Sequence, residues 1–431
     1  MSDIIAGDVC MDLPDAWILH PDVRDKGNQK VACRDQQARL DEAIGLANAI
    51  HLNIAGADIV PVRQVQAGTF LGKGKVEEYV TQFSECNIKL VIIDASLSPI
   101  QQRNLEEAWK CKVIDRTALI LEIFGERAQT GEGVLQVELA ALEYQKSRLV
   151  RSWTHLERQR GGHGSMGGPG EKQIESDRRA INDRITKIRR QLQTVMRTRA
   201  LHRKSRKKVP YPIVALVGYT NAGKSTLFNR LTGADVVAED ALFATLDPTM
   251  RMVTLPSGRK VIFSDTVGFI SDLPTELIAA FRATLEEVVE ADLILHVRDI
   301  ASAESREQKE DVLLVLEDLE VSDKLDDSGI EVLNKIDLLD VAPGEGAEEK
   351  TGISALTGMG CDALLQRIDA FFAKSQHPID VLLQPDQGQL LAWLHNYGEE
   401  VSVVPEGENG ALRVAALLSD KYYAQFQKKL A

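Results

Sequence analysis

The stretch PIVALVGYTNAGKSTLF, residues 212–228, decides the fold of the central part of this chain. Its first six residues form an apolar run typical of a buried strand, and its last residues open a helix. Between them, Gly218 to Ser225 match the P-loop pattern, in which two glycines precede a lysine and a hydroxyl residue. A strand that passes into a helix through such a loop predicts an α/β domain that binds a nucleoside triphosphate.

The P-loop residues are expected to hold the phosphates. Backbone N–H groups of the loop and of the helix N-terminus would meet the phosphate oxygens. The Lys224 ammonium would neutralise the outer two phosphates, and the Ser225 hydroxyl would ligate Mg2+. The predicted nucleotide-binding residues of this stretch are Gly218, Tyr219, Thr220, Asn221, Ala222, Gly223, Lys224, Ser225 and Thr226.

A second segment, Asp265-Thr266-Val267-Gly268, follows the strand-like run 261–264. Here Asp265 can hold Mg2+ through water, and the Gly268 amide can bond the terminal phosphate. DxxG is a weak signal alone, but its place after a strand and downstream of the P-loop makes it specific. Ras-like enzymes place a glutamine next to orient water, whereas this chain has Phe269, so slow intrinsic hydrolysis is expected.

A third segment, Asn334-Lys335-Ile336-Asp337, predicts the base specificity. The Asp337 carboxylate can accept from the ring N–H and exocyclic amine of guanine, which adenine lacks. Asn334 would support the loop, and the Lys335 stem would cover the base. The backbone amides expected to finish the pocket belong to Gly352, Ile353, Ser354 and Ala355. These segments together predict a GTPase.

A threonine between the P-loop and Asp265 should complete the Mg2+ site and sense the terminal phosphate. Thr245 is favoured within the nucleotide-binding stretch Phe243, Ala244, Thr245, Leu246 and Asp247, with Thr249 as the rival. The predicted metal ligands are therefore Ser225, Thr245 and, through water, Asp265. The predicted catalytic residues are Lys224, Thr245, Gly268 and Asn221, whose amide could help to hold K+ beside the phosphates.

The first 130 residues alternate β-branched runs with helical patterns, which predicts an α/β domain with a parallel sheet. Helices are expected at 37–50, 75–84, 100–109 and from 117, and strands at 59–65, 90–94 and 112–114. The glycine turn at 72–75 opens a helix and could hold a second phosphate or be an ordinary turn.

Near the carboxyl end, a linker at 376–378 is expected before a small α/β domain, 376–431, with a helix at 389–396 and strands at 401–404 and 412–415.

Residues 131–208 carry apolar heptads that predict an antiparallel helical hairpin. The seam residues are Leu135, Leu139, Leu142, Lys146, Leu149, Trp153 and Leu156 in one arm, and Ile174, Arg178, Ile181, Ile185, Ile188, Leu192 and Val195 in the other. The tip, 161–170, is glycine-rich. From 146 to 208 there are 19 Lys and Arg against 5 Asp and Glu, although the whole chain has a net charge of -13. This segment is therefore expected to meet a polyanion.

The chain shows neither a secretory signal nor an apolar run long enough to span a bilayer, and its five cysteines follow no CxxC spacing. We therefore expect a cytoplasmic protein without a zinc site. The sequence leaves the oligomeric state open, and a monomer is our expectation. The GTPase domain is expected at 209–375.

The segments VGYTNAGKSTLFN, LFATLDPTMR, DTVGFI, NKID and GGPGEKQIESDRR closely resemble the HflX family of GTPases, within the Obg-HflX-like superfamily. The resemblance implies a Ras-like domain behind an α/β unit with a helical hairpin, binding to the large ribosomal subunit and its rRNA, and splitting or rescue of stalled ribosomes. Many members carry an arginine before GPGE, where this chain has Met166-Gly167-Gly168. Two alternatives remain. One is a membrane or metabolic GTPase that uses the hairpin to bind a protein, and the other is an adaptor whose nucleotide site is only structural.

Overall fold

The computed structural model describes residues 15–23, 35–159, 169–206, 211–234, 242–243, 245–246, 249–272, 285, 287–339, 350–374, 376–406 and 410–430. Within these residues the chain forms three sheets and one long helical hairpin. This arrangement confirms the predicted fold class, a P-loop domain between an α/β domain with a hairpin and a small α/β domain.

The amino-terminal domain is a parallel sheet with helices on both faces. Its elements are β1 (Asp15–Val23), α1 (Gln36–Asn48), β2 (Asn53–Val62), α2 (Lys73–Glu85), β3 (Leu90–Ile93), α3 (Pro99–Trp109), β4 (Lys112–Asp115) and α4 (Arg116–Arg127). The strand order is β2-β1-β3-β4. Ser98 begins α3 with a capping box, in which its hydroxyl accepts from the Gln101 amide and the Gln101 side chain accepts from the Ser98 amide.

Two features of this domain differ from the sequence prediction. Strand β1 was not predicted, because Pro21 and Asp22 interrupt the apolar run that identifies a buried strand, yet β1 pairs with both β2 and β3. Strand β2 begins at Asn53, six residues before the predicted start at Ile59. The glycine turn at 72–75 opens α2, with Gly72 at the N-cap and no side-chain cap bond.

The hairpin consists of α5 (Gly131–Gln159) and α6 (Pro169–Arg206). Leu139, Ile185 and Ile188 are buried at its seam, with four further predicted seam residues packed against them: Leu135, Leu142, Ile181 and Leu192. Two ion pairs flank the seam, Arg184 with Glu138 at 2.6 Å and Arg189 with Glu143 at 2.6 Å. The packing confirms these seven predicted seam residues, whereas Arg178, predicted at the polar position of the seam, is exposed. The tip, 161–170, lies largely outside the described residues.

The third unit is a six-stranded sheet that carries the P-loop. Its elements are β5 (Ile213–Val217), α7 (Lys224–Thr232), β6 (Thr249–Thr254), β7 (Lys260–Asp265), β8 (Leu293–Asp299), α8 (Ser305–Asp318), α9 (Ser322–Ser328), β9 (Gly329–Asn334), β10 (Lys350–Gly352) and α10 (Cys361–Lys374). The order is β10-β9-β8-β5-β7-β6, and only β6 of these six described strands runs antiparallel to its neighbour. The P-loop therefore leaves the carboxyl end of a central strand.

The amino-terminal domain and the P-loop domain share one apolar core. Ile18, Leu46 and Phe124 from the first domain belong to the same buried cluster as Val217 and Phe269 from the second. Burial of this continuous surface removes apolar area from water on both sides, so the two domains support each other's packing.

The carboxyl-terminal domain is a three-stranded antiparallel sheet, β11-β13-β12. Its elements are β11 (Gln376–Leu383), α11 (Gly388–Tyr397), β12 (Glu399–Glu406), β13 (Ala411–Ser419) and α12 (Asp420–Leu430). The expected linker at 376–378 is wrong, because these residues begin β11. Pro378 is tolerated there because β11 is an edge strand, where a missing N–H costs no ladder bond. Ile379 and Leu383 of the same strand are buried in the domain core.

Candidate functional site

The P-loop wraps closely around the Lys224 side chain. The Lys224 ammonium is buried and donates to the carbonyls of Gly218 at 3.0 Å and Tyr219 at 2.7 Å. Burial lowers the pKa of Lys224 to about 8, opposed by the nearby Asp265 carboxylate. A buried cation that is satisfied only by carbonyl groups would gain from an anionic ligand in the loop.

A cluster of three oxygen-bearing side chains lies at the start of α7. The Ser225 hydroxyl is 2.8 Å from the Thr245 hydroxyl and donates to Asp265 Oδ2 at 2.7 Å, while Thr245 donates to the same oxygen at 2.9 Å. The three predicted Mg2+ ligands are therefore together. Thr249, the rival of Thr245, begins strand β6, where its Cα pairs in register with that of Asp265.

Asp265 has a carboxylate oxygen that is available to a cation. It is fully buried, and its Oδ1 has no hydrogen-bond partner among the described residues. Burial raises its pKa, partly opposed by the Ser225 hydroxyl and the Lys224 charge. Hydroxyl and carboxylate oxygens are ligands that Mg2+ prefers, so these residues fit the ion that the fold implies.

The segment 265–268 packs directly on the P-loop. Thr266 donates through its hydroxyl to the Leu216 carbonyl at 2.6 Å, and a Cβ added at Gly268 would lie 2.8 Å from Thr220 Cγ2 and 3.1 Å from Lys224 Nζ. Only glycine allows this approach, which leaves the Gly268 backbone beside the phosphate-binding lysine. Val267 is buried next to it.

Phe269 is held by backbone bonds on both sides of the P-loop. The Thr220 amide donates to the Phe269 carbonyl at 2.7 Å, and the Phe269 amide donates to the Gly218 carbonyl at 3.1 Å. Its side chain is buried in the core shared by the two domains. The ring therefore offers no polar atom that could orient a water molecule.

Asn334 joins the base-binding segments to the P-loop. Its buried amide Nδ2 donates to the Ala222 carbonyl at 2.8 Å, and its Oδ1 accepts from the Ala355 amide at 2.9 Å. A Cβ added at Gly223, which has φ of +88°, would lie 2.2 Å from Asn334 Nδ2. Glycine at this position is required both by the contact and by the backbone conformation.

The remaining residues predicted to form the base pocket lie in the segments 335–337 and 352–354. Lys335 has φ of +67°, and its ammonium is 2.8 Å from Asp299 at the end of β8. Asp337 is exposed in the short 3-10 helix Ile336–Leu338. The Ile336 amide donates to the Ile353 carbonyl at 3.2 Å, Gly352 ends β10, and Ser354 is fully buried. The predicted segments therefore meet at one edge of the sheet.

The other predicted residues lie in the P-loop, at the start of α7 and in the segment 243–247. Asn221 is exposed at the top of the P-loop with φ of +56°, and Thr226 lies in the first turn of α7. Phe243 stacks edge-on against Phe124 with ring centroids 4.7 Å apart, and Leu246 is buried. Ala244 and Asp247 lie outside the described residues.

Sequence analysis missed a polar cluster that joins the P-loop to the amino-terminal domain. Its members are Glu42 from α1, Arg116 from α4, Tyr219 of the P-loop and Ser271 after the DxxG segment. It also missed Asp299 as the partner of Lys335. No local pattern marks these residues, because their partners lie far away in the chain.

A strand-to-helix phosphate loop, a hydroxyl and carboxylate cluster and an NKxD base segment together define a P-loop GTPase domain. Four family models match the chain: "GTP-binding GTPase N-terminal" at 37–125, "GTP-binding GTPase Middle Region" at 127–206, "50S ribosome-binding GTPase" at 213–335 and "HflX C-terminal domain" at 341–431. The chain belongs to the HflX family of GTPases and is a GTP-hydrolysing enzyme.

Named relatives agree with this membership. The chain is 50% identical to GTPase HflX of Magnetococcus marinus over 86% of each chain, and 46% identical to GTPase HflX of Escherichia coli over 74% of this chain and 76% of that one. A GTP-binding protein of Sulfolobus solfataricus, solved with GDP, is similar at 23% identity with a TM-score of 0.44, over 83% of this chain and 98% of that one. In the described part of the chain, we find no helix with the length and apolarity of a membrane span.

Proposed function

We propose that GTP is bound with Mg2+ by the residues that the four segments bring together. Lys224 and the P-loop amides bind the phosphates, Gly268 bonds the terminal phosphate through its amide, and Ser225, Thr245 and Asp265 hold the ion. The observation that carries this proposal is the close cluster of the three Mg2+ ligands around a carboxylate oxygen that lacks a described partner. When bound, Mg2+ supplies positive charge to the outer phosphates.

Asp337 selects guanine, and Asn334 holds the loops of the base pocket in place. The Asp337 side chain is exposed, so it is accessible to the edge of an entering base. The Asn334 side chain is buried and forms hydrogen bonds with both Ala222 and Ala355. An adenine ring would leave the Asp337 carboxylate without two donors. Lys335, whose ammonium is anchored by Asp299, covers one face of the base with its stem.

Hydrolysis is slow in the isolated protein and is stimulated by a partner. The side chain that follows DxxG is the buried Phe269, which cannot orient an attacking water. Asn221 is exposed beside the phosphate loop, where its amide could hold K+ and so add positive charge to the transition state. Turnover that is equal in potassium and sodium buffers would exclude this role of Asn221.

The partner is the large ribosomal subunit, bound through the basic hairpin 146–208. On the exposed surface of α6, Arg178, Lys187, Arg190 and Arg197 form no ion pair with any described residue. Charges that are not neutralised within the hairpin remain available to rRNA phosphates, whose binding releases counterions. The family model that matches 213–335 is described as a 50S ribosome-binding GTPase, which agrees with this proposal.

Co-sedimentation with separated ribosomal subunits tests the hairpin. We expect the chain to sediment with large subunits when loaded with a non-hydrolysable GTP analogue, and less when loaded with GDP. The double variant Lys187→Glu/Arg190→Glu should bind much more weakly, and its binding should depend less steeply on salt. The matched control, Lys374→Glu/Lys428→Glu, makes the same charge change in exposed residues elsewhere. Binding that is equal in both double variants would assign the contact to another surface.

The outcome of binding is the splitting or rescue of stalled ribosomes by a monomeric, cytoplasmic protein. A sucrose-gradient profile of intact ribosomes, incubated with the chain and GTP, should shift toward free subunits. The same mixture should also show many-fold faster GTP hydrolysis than the chain alone. If stimulation came only from lipid or from a non-ribosomal protein, the alternative of a membrane or metabolic GTPase would replace this proposal.

A further inference from the structure

A buried polar cluster connects the phosphate loop to the amino-terminal domain. The Tyr219 hydroxyl of the P-loop donates to Glu42 on α1 and accepts from the Ser271 amide at 2.8 Å. Arg116 at the start of α4 is 2.5 Å from Glu42 and donates to the Ser271 carbonyl and hydroxyl, each at 3.1 Å. The Ser271 hydroxyl also donates to Glu42 at 3.0 Å. We name these four residues the domain joint.

The domain joint is built as a fixed contact. Tyr219, Arg116 and Ser271 are each less than 9% exposed. Arg116 is also 2.6 Å from Asp94, whose other carboxylate oxygen is 2.8 Å from His20. Burial and the Glu42 charge raise the pKa of the Tyr219 phenol above its usual range, so the hydroxyl keeps its proton and remains a donor. Hydrogen bonds to buried charges are shorter and stronger than neutral ones.

Ser271 of the domain joint lies three residues after Gly268, whose amide is proposed to bond the terminal phosphate. A movement of Gly268 must therefore be matched at Ser271 or must break its bonds to Tyr219 and Arg116. In the structure these bonds coexist with Thr245 placed beside Ser225 and Asp265, which brings the three proposed Mg2+ ligands together. A contact that exists in only one of two conformations stabilises that conformation. It therefore raises the affinity for the nucleotide that binds more tightly to that conformation.

We propose that the domain joint is a positioning device, through which the amino-terminal domain raises the preference of the site for GTP over GDP. The inference rests on the proposed roles of Gly268 and Thr245, and it does not depend on ribosome binding. By linkage, GTP must stabilise the docking of the amino-terminal domain by the same factor as that domain increases the GTP preference. Among the described hydrogen bonds, none joins the four residues of the joint to Asp337 or to the metal cluster, so we expect guanine selection to be unchanged in their variants.

The test compares affinities for a non-hydrolysable GTP analogue and for GDP by calorimetry with Mg2+ on the full chain. In Tyr219→Phe the ratio of the two affinities should fall by about tenfold, since coupling between sites commonly amounts to 5- to 150-fold. In Ser271→Ala it should fall in the same direction. The double variant should lose little more than Tyr219→Phe alone, because both remove parts of one contact.

Tyr144→Phe is the matched control. Tyr144 is a half-buried phenol that donates to a carboxylate, Asp115 at 2.8 Å, but its hydrogen bonds lie within the amino-terminal domain and the hairpin. Its affinity ratio should equal that of the wild type. A second readout is hydrogen exchange in α1, which should be slower with the GTP analogue than with GDP in the wild type and equal in Tyr219→Phe.

The outcomes are distinguishable. A folded Tyr219→Phe protein with the wild-type affinity ratio, or a Tyr144→Phe protein with an equal loss, overturns the inference. If Tyr219→Phe does not fold, Ser271→Ala decides in the same way, because it leaves the phenol and all charges in place. A wild-type chain that binds no guanine nucleotide overturns the proposed function as well, whereas binding with an insensitive ratio overturns only the joint.

Discussion

Replacing Asn334 by alanine should loosen the P-loop domain even without nucleotide. The substitution removes two buried hydrogen bonds, to the Ala222 carbonyl at 2.8 Å and from the Ala355 amide at 2.9 Å. Each backbone group left without a partner costs about 1–3 kcal/mol. Because the two loops can relax together, we expect a loss of about 3 kcal/mol, which is roughly a hundredfold in the opening constant.

Hydrogen exchange of the β5 amides measures this loss locally, which matters because a chain of several domains does not unfold in one step. The control is Ser264→Ala in β7. Ser264 is fully buried, but its hydroxyl has no hydrogen-bond partner among the described residues, so its removal should change the free energy of opening by less than about 1 kcal/mol. Protection in Asn334→Ala equal to that in Ser264→Ala would refute the reasoning.

Three further predictions concern the base pocket, the phosphate loop and the hairpin. In Asp337→Asn, GTP affinity should fall by about a hundredfold, because the amide cannot accept from both guanine donors. Xanthosine triphosphate should become the better ligand, because the amide N–H can donate to the carbonyl that xanthine carries in place of the exocyclic amine; equal affinities in a competition assay would contradict this. In Gly223→Ala, the new Cβ would meet Asn334 Nδ2 at 2.2 Å at a φ of +88°, so a loss of at least about 2 kcal/mol of stability is expected by calorimetry. In Ile188→Ala, deletion of a fully buried seam side chain should cost about 2–5 kcal/mol by thermal unfolding, whereas Met196→Ala on the exposed surface of the same helix should cost under about 1 kcal/mol; similar losses would show that the seam does not hold the hairpin.

The sequence predicted the parts of the site that consist of contiguous segments. The P-loop, DxxG and NKxD segments each combine a strand signal with polar residues at fixed spacing, so their place at the carboxyl edge of one sheet follows from local pattern alone. The sequence favoured Thr245 but left Thr249 as a rival, and the structure places Thr245 beside Ser225 and Asp265. Heptad spacing likewise predicted the hairpin seam, because its period is set by helix geometry.

The parts that could not be predicted depend on contacts between distant segments. Glu42 and Ser271 are separated by 229 residues, and no local spacing relates them. Strand β1 was hidden because Pro21 breaks its apolar pattern, although pairing on both sides holds it in the sheet. The strand at Gln376 was mistaken for a linker because a proline in a short polar stretch is typical of both a linker and an edge strand.

The helical hairpin packs on the amino-terminal domain through α5 and leads in sequence into the P-loop domain through α6. Helix α5 packs against α3 and α4, with Arg148 3.2 Å from Asp115, while α6 ends seven residues before the strand that leads into the P-loop. With 38 residues, α6 is about 57 Å long, so a tilt of about 5° at its base moves its far end by about 5 Å. Because of this length, a small rotation of the hairpin about its base would displace its tip by several ångströms.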